Sequence, residues 1–342
     1  MQIHILFPIR EQPTGGGNQF LGALRRTLRA QGRYAEQLDE AGAFVFNSYQ
    51  YIPDVWSVRR NRPEALCIHR IDGPMRLYNR PDDYRDVVVY RANACLADGT
   101  VFQSNWSRDE NLRLGLPPTR FNTVIPNAPL PGLFYPAPPE PFDSRRKVRI
   151  MAMSWSSNWN KGFGILKWLD DHLDFNRFDL TFMGNSPIGF SRIHHLPPRP
   201  SAEVAAELRR HDLFLAPSAK EPCSNALLEA MSCALPVLAL RDGCYPEMVG
   251  GAGEYFTEPE EIPDLLDRMV GQYDAYRDRI VVRPLDDIAA AYVAFAEQIQ
   301  QARERGEYRV KSPTGSDTLW LRWTHWSWRL REGIKARLKR GS

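Results

Sequence analysis

Residues 213–240 read Leu213-Phe214-Leu215-Ala216, then Pro217-Ser218-Ala219-Lys220-Glu221-Pro222-Cys223-Ser224, then Asn225-Ala226-Leu227-Leu228-Glu229-Ala230-Met231-Ser232, and, after Cys233-Ala234-Leu235, Pro236-Val237-Leu238-Ala239-Leu240. The first four are apolar without alternation, as in a strand covered on both faces. Ser224 is a good helix cap, so a helix is expected over Asn225–Ser232, followed by a second strand over Pro236–Leu240. Strand, loop, helix and strand in so short a span make a βαβ unit, and therefore a parallel sheet.

The rhythm extends outward from this unit. Strands are expected at Val148–Met153 and Phe178–Met183, with helices at Gly164–Leu173, Ala202–Arg210, Glu260–Tyr276 and Asp286–Ala302. In the last of these, Ile288, Ala291, Tyr292 and Phe295 share one face. A polar break follows at Arg303–Asp317. In the other direction, Pro126–Pro141 holds seven prolines (Pro126, Pro129, Pro131, Pro136, Pro138, Pro139 and Pro141), which neither a helix nor a central strand tolerates. Before it the pattern runs again: strands at Ile3–Pro8, Ala43–Asn47, Ala65–Ile71 and Thr100–Ser104, and helices at Asn18–Gln31 and Asp83–Ala94.

The fold class read from this is α/β, with two Rossmann-like doubly wound domains and a basic amphipathic C-terminal tail. The expected divisions are 1–130, a proline-rich linker 131–145, a second domain 146–284, a crossing helix 285–305 and a tail 306–342. A chain of 342 residues exceeds what one core usually serves, which agrees with two domains. Hydrophobic residues at 43% and charged residues at 25% exclude wholesale disorder. The longest apolar runs, such as Ala43–Phe46 and Ala234–Leu240, fall far short of the roughly 20 residues of a membrane span. The start reads as a first strand rather than a signal peptide, so export is not expected. The five cysteines (Cys67, Cys95, Cys223, Cys233, Cys244) are scattered and form no CxxC pair, which suits free thiols in a reducing cytoplasm.

Chemistry concentrates around residues 221–229. A loop carboxylate, Glu221, precedes a capped helix whose free N–H groups and positive end suit a phosphate. Glu229, just over a turn into that helix, could accept hydrogen bonds from sugar or ribose hydroxyls at the carboxyl edge of the sheet. This stretch, with Ser232-Cys233-Ala234-Leu235-Pro236-Val237-Leu238-Ala239, resembles the donor-site signature of GT-B glycosyltransferases, specifically glycosyltransferase family 4 (glycosyl transferases group 1). Asp242-Gly243-Cys244-Tyr245-Pro246-Glu247-Met248-Val249 with Gly253-Glu254-Tyr255-Phe256 is similar to the segment that closes the family's donor domain. Val124-Ile125-Pro126-Asn127-Ala128 and Phe134-Tyr135-Pro136 are similar to its interdomain strand and linker. The resemblance covers residues 1–302, and it is stronger in the second domain than in the first.

The resemblance implies a retaining, metal-independent transferase with two domains facing a cleft. It implies that Glu221 contacts the donor sugar and Glu229 holds the nucleotide ribose. Ser156-Ser157-Asn158-Trp159-Asn160-Lys161-Gly162-Phe163 resembles the family's phosphate loop, so Lys161 is expected on the diphosphate, with the backbone of Ser224, Asn225 and Ala226. Ser156 stands where the family usually has an arginine, and Arg192, Arg199 or a first-domain arginine are the candidate substitutes. Gly15, Gly16 and Gly17 follow the first strand and allow close approach of backbone to a ligand; the family has such a loop near diphosphate and acceptor. His69 and Asp72 end a buried-looking strand, the place of a catalytic group in a parallel sheet. A histidine there either faces the donor sugar, as in the family, or is satisfied by backbone; Arg70 either meets phosphate or solvent.

Metal signals are weak. Asp82-Asp83, Asp170-Asp171 and Asp286-Asp287 sit at helix starts or on polar faces, and His194-His195 lacks further spaced ligands.

The tail is basic. From Trp320 onward there are seven bases against the single acid Glu332, while the whole chain is +3, so the preceding body is −3. Trp323, Trp326, Leu330, Ile334 and Leu338 fall on one helical side, with Trp320 and Trp328 as aromatic edges. Residues 320–340 therefore suit an anionic membrane surface; packing on the body is the alternative, and nucleic acid is not the expected partner.

The expected function is transfer of a sugar from a nucleotide-diphosphate donor, UDP- or GDP-linked, to a glycan or lipid-linked acceptor. Surface polysaccharide biosynthesis in the cytoplasm, peripheral on the inner face of the cell membrane, is the expected setting. The alternative is a non-catalytic nucleotide-sugar-binding or membrane-recruited scaffold, motivated by Ser156 and the tail.

Overall fold

The computed structural model describes residues 1–10, 16–138, 142–143 and 145–338, with the side chains of residues 328, 332 and 334–338 left aside. Gly15, Pro139, Pro141, Lys339 and Arg340 lie outside the described residues, as do the side chains of Trp328, Ile334 and Leu338. The chain divides into two compact units: Met1–Ile9, Leu24–Pro126 and Ile288–Ser342 form one, Arg10–Ala23 and Asn127–Asp287 the other.

In the first unit, β1 (Ile3–Leu6), β2 (Ala43–Asn47), β3 (Leu66–Ile71), β4 (Gly99–Phe102) and β5 (Phe121–Val124) form a parallel sheet in chain order, β1-β2-β3-β4-β5. Every residue of β2, β3 and β4 is buried, the polar Asn47, His69, Arg70 and Thr100 included, as in strands covered on both faces. The Leu285–Glu304 helix lies against β4, where a Cβ on Gly99 would meet Ile299 at 2.6 Å and Phe295 at 2.8 Å. Its Ile288, Tyr292 and Phe295 are buried and Ala291 is half-buried.

Two helices of this unit, Ile52–Asn61 and Asn105–Arg113, go beyond the sequence expectation. Pro53 sits in the first turn of the former, where a proline breaks nothing. The latter is polar apart from Trp106 and Leu112 and is started by Ser104, whose hydroxyl accepts from the Ser107 N–H. Below the sheet, Arg59 and Asp98 form a buried ion pair. Asp98 also accepts from the Cys67 and Lys311 N–H groups and the Tyr308 hydroxyl, which ties the segment after the long helix to the unit.

In the second unit, β6 (Val148–Ser154), β7 (Phe178–Gly184), β8 (His194–Leu196), β9 (Leu213–Ala216), β10 (Val237–Leu240) and β11 (Gly253–Phe256) are all parallel, in the order β11-β10-β9-β6-β7-β8. Chain order runs outward in one direction from β6 and in the other from β9. This is a doubly wound sheet with its switch point between those two strands. Alternate residues feed two cores. Ile150, Ala152, Leu180, Phe182 and Leu215 face one layer, and Met151, Met183, Phe214 and Ala216 the other. The expected Glu260–Tyr276 helix is two pieces, Ile262–Gly271 and Tyr273–Arg277.

Candidate active site

Two loops leave the carboxyl ends of β6 and β9, neighbours at the switch point. The loop after β6 ends in a single turn, Trp159–Lys161, which is started by the Asn158 side chain accepting from the Asn160 N–H. It is closed by Gly162 at φ +86°, in the left-handed region, where a Cβ would lie 2.5 Å from the Pro217 carbonyl. Asn160 O accepts from the Ala219 N–H at 2.7 Å, so the two loops are pinned backbone to backbone.

That pinning brings Lys161 to Glu221. Nζ stands 2.5 Å from Oε2, and both side chains are largely enclosed. Glu221 is itself fixed by its carbonyl, which accepts from the Cys244 N–H, and by Gly243 at φ +63°. A Cβ on Gly243 would lie 2.6 Å from the Glu221 oxygen. The Asp242-Gly243 turn also holds Lys220 through its N–H and Nζ, both 3.1 Å from the Asp242 carboxylate.

The Asn225–Ser232 helix begins beside this pair. Ser224 Oγ accepts from the Leu227 N–H and the Ser224 carbonyl from Leu228, which leaves the Asn225 and Ala226 N–H groups without an acceptor among the described residues. Asn225 is held from two sides: Asn127 Nδ2 donates to its Oδ1 at 2.7 Å, and its Nδ2 donates to the Gly16 carbonyl at 3.0 Å. Gly16 and Gly17 open the Gly16–Ala30 helix. A Cβ on Gly16 would lie 2.9 Å from the Asn225 amide nitrogen, so the absence of a side chain permits this approach.

Glu229 faces a small pocket with Gln19, Phe20, Ala23, Ala128, Pro129, Leu130 and Asn225, with room for about one water at ≈ 20 Å³. Its carboxyl has no hydrogen-bond or ion-pair partner among the described residues, and burial pushes it up to about 8. A half-buried carboxyl without a partner among the described residues is placed to receive hydroxyl donors.

The other sequence candidates have contacts of their own. Ser156 closes its own loop, with its hydroxyl accepting from the Asn158 N–H. The two substitutes named in the second unit are each engaged in a contact of their own. Arg192 lies over Phe175 at the edge where β7 and β8 begin, opposite the Lys161 edge, and Arg199 pairs with Glu203. The cation beyond Lys161 that the sequence did not single out is Lys220.

His69 and Asp72 belong to the first unit. The His69 ring is fully buried, stacks on Phe46 at 4.1 Å, and contacts the Ser48 carbonyl through Nε2 and the Asn93 amide through Nδ1. Burial lowers it to about 3, so the ring is neutral and offers a ligand no surface. The expectation that it faces a sugar gives way to the backbone-satisfied alternative. Arg70 meets neither phosphate nor solvent: it is buried and pairs with Asp72 at 3.0 Å. Asp72 is partly exposed and also accepts from Asn47 and Gln103.

Asp170 shows why a DxD-like pair misleads. Its carboxylate accepts from the Ser191, Arg192 and Ile193 N–H groups and shapes a loop. Among the described residues no group of three or more His, Cys, Asp or Glu is arranged to hold a metal ion, and no helix is long and apolar enough to cross a membrane.

Residues 181–274, which span both glutamates and the Asp242-Gly243 turn, match the family described as Glycosyl transferases group 1. The chain resembles the group 1 glycosyltransferases. The match to that family supports glycosyltransferase activity. The fold is that of GT-B glycosyltransferases, as two solved structures illustrate. Sucrose-phosphate synthase from Thermosynechococcus elongatus is 15% identical, with a TM-score of 0.63 over 89% of this chain and 99% of the other. Anabaena HepE in complex with UDP is 15% identical, with a TM-score of 0.62 over 89% of this chain and 100% of the other. No curated protein matches the chain by sequence.

Proposed function

We propose that the chain is a retaining glycosyltransferase that moves a sugar from a nucleotide-diphosphate donor to a glycan or lipid-linked saccharide, in the cytoplasm at the inner face of a membrane. The observation that carries this reading is the Lys161–Glu221 pair at the switch point, beside an open helix N-terminus and the unpartnered Glu229 carboxyl.

In the proposal, Glu229 accepts the ribose hydroxyls. Lys161 and the Asn225 and Ala226 N–H groups, with the Ser224 backbone, take the diphosphate, and Gly16 and Gly17 at the start of the Gly16–Ala30 helix approach it. Glu221, released from Lys161 when the anion arrives, meets the donor sugar. As the bond from the anomeric carbon to the diphosphate breaks, negative charge grows on the leaving group where Lys161 and the helix N–H groups stand, which stabilises the transition state. This arrangement works without a metal. Asp72 is assigned to the acceptor side, and His69, enclosed within β3, does not touch sugar. Retention of anomeric configuration rests on the family resemblance.

HepE has been solved in complexes with UDP and UDP-glucose, which makes uridine diphosphate sugars the first donors to try, with guanosine counterparts next. Ser156 at the arginine place favours the second reading, a nucleotide-sugar-binding scaffold. A thermal-shift screen against UDP, GDP and their sugars, followed by assays of hydrolysis and transfer, tests both. Stabilisation plus turnover is expected; stabilisation without turnover under any acceptor extract favours the scaffold, and no stabilisation removes the donor site.

A further inference from the structure

The Gly315–Leu338 helix has two faces with opposite fates. One packs on the first unit: Leu321 joins the core around Phe46, Val55, Val88 and Ala92, and Thr324 is fully buried, accepting from Arg91 at 2.6 Å. Trp56 donates to Thr318 on the same side. The opposite face carries Leu319, Trp323, Trp326 and Leu330, all exposed, at spacings of four, three and four residues. Such spacing makes one straight stripe on a helix, roughly 16 Å long at ~1.5 Å per residue. Trp320 is also exposed at the border.

Cations edge the stripe. At about 100° per residue Arg322 and Arg329 fall on one border, while Arg331 falls on the side of the buried Thr324. Their side chains reach back over the body: Arg322 lies over Trp56 at 5.0 Å and Arg331 over Tyr84 at 4.6 Å.

We infer that this outward stripe of the Gly315–Leu338 helix docks the protein on an anionic lipid surface, with the indoles at headgroup depth, Arg329 at the border on lipid phosphate, and the net positive charge of the helix drawing it to the surface. A stripe of indoles and leucines bordered by cations matches the layered chemistry of a bilayer interface. A nucleic acid would use the cations but leave Leu319 and Leu330 in water. A second copy would bring the basic borders face to face. The body is net negative, so the attraction belongs to the helix. The inference rests on the transferase reading only for its purpose, delivery to a lipid-linked acceptor.

The test is co-sedimentation of the full chain with phosphatidylcholine vesicles with and without phosphatidylglycerol, with UDP and GDP binding measured in parallel. Binding to the anionic vesicles, with a blue shift of tryptophan emission, is expected. Trp323→Ser with Trp326→Ser should lower it at least ~10-fold, and Arg322→Glu with Arg329→Glu should abolish its dependence on lipid charge. Thermal stability and nucleotide binding should be unchanged. Vesicle binding unaffected by both double variants overturns the inference, as does binding of single-stranded nucleic acid in place of vesicles, or lipid-free self-association that the tryptophan variant abolishes. Loss of nucleotide binding with vesicle binding intact breaks the transferase reading alone.

Discussion

Both sheets are parallel, and both end in polar residues at their carboxyl edges, yet these residues are engaged differently. In the first unit Asn47, Arg70, Asp72 and Gln103 bond to one another across β2, β3 and β4, and His69 beneath them is enclosed. In the second unit the strand order reverses between β6 and β9, and the loops after those strands meet at the Asn160–Ala219 bond, with the Lys161–Glu221 pair and the start of the Asn225–Ser232 helix beside them. The groups there are a cation on one carboxylate, uncapped N–H donors and a carboxyl with no partner. A sheet in chain order stores its polar groups as stability; a sheet with a switch point can leave them available.

The contrast can be broken by experiment. Asp98→Ala strands Arg59 in the first core, and a loss of about 3–5 kcal/mol is expected in denaturant unfolding. A loss confined to donor affinity would contradict the structural role assigned to that network. Lys161→Ala or Glu221→Ala should cut sugar transfer by about 10²–10³-fold with little change in stability. Since donor binding separates the pair, with Lys161 on the diphosphate and Glu221 on the sugar, the losses of the double variant should approach the sum of the singles; a double variant no worse than the worse single would mean they act as one unit.

Glu229→Gln gives a smaller effect with a definite sign. The unfolded chain releases this proton near the ordinary carboxyl value, 4.5, while the folded protein holds it to about 8. The folded state binds the extra proton in that window, so stability falls as pH rises through it. The glutamine variant should remove that slope, raising the melting temperature at pH 8 by about 2–4 °C while weakening nucleotide binding. A slope that survives the substitution assigns the titration elsewhere. The smallest effect is none: the His69 ring-proton shifts should stay flat from about pH 5 to 8, and titration there would show the ring is reachable.

Much of the second unit was legible in the sequence because its signals are local. A β9-loop-helix-β10 stretch with a cap at Ser224 and carboxylates at 221 and 229 needs only neighbouring residues to be read. The Ile52–Asn61 helix escaped because Pro53 reads as a breaker unless its place in the first turn is known. Lys161 was legible as a cation after a strand, but its partner lies 60 positions away and is set by the Asn160–Ala219 pin and by two glycines at positive φ. No periodicity encodes such a contact.

Sequence by itself determined the parallel α/β character, the capped helix with its two glutamates and the basic, tryptophan-rich tail, because strand period, cap chemistry and charge act within a few residues of the chain. Only tertiary structure decided that β6 and β9 are neighbours, that His69 is enclosed, that Glu229 keeps its proton, and which side of the last helix meets the core. Those follow from what packs against each group, and burial is a property of the surroundings rather than of the residue.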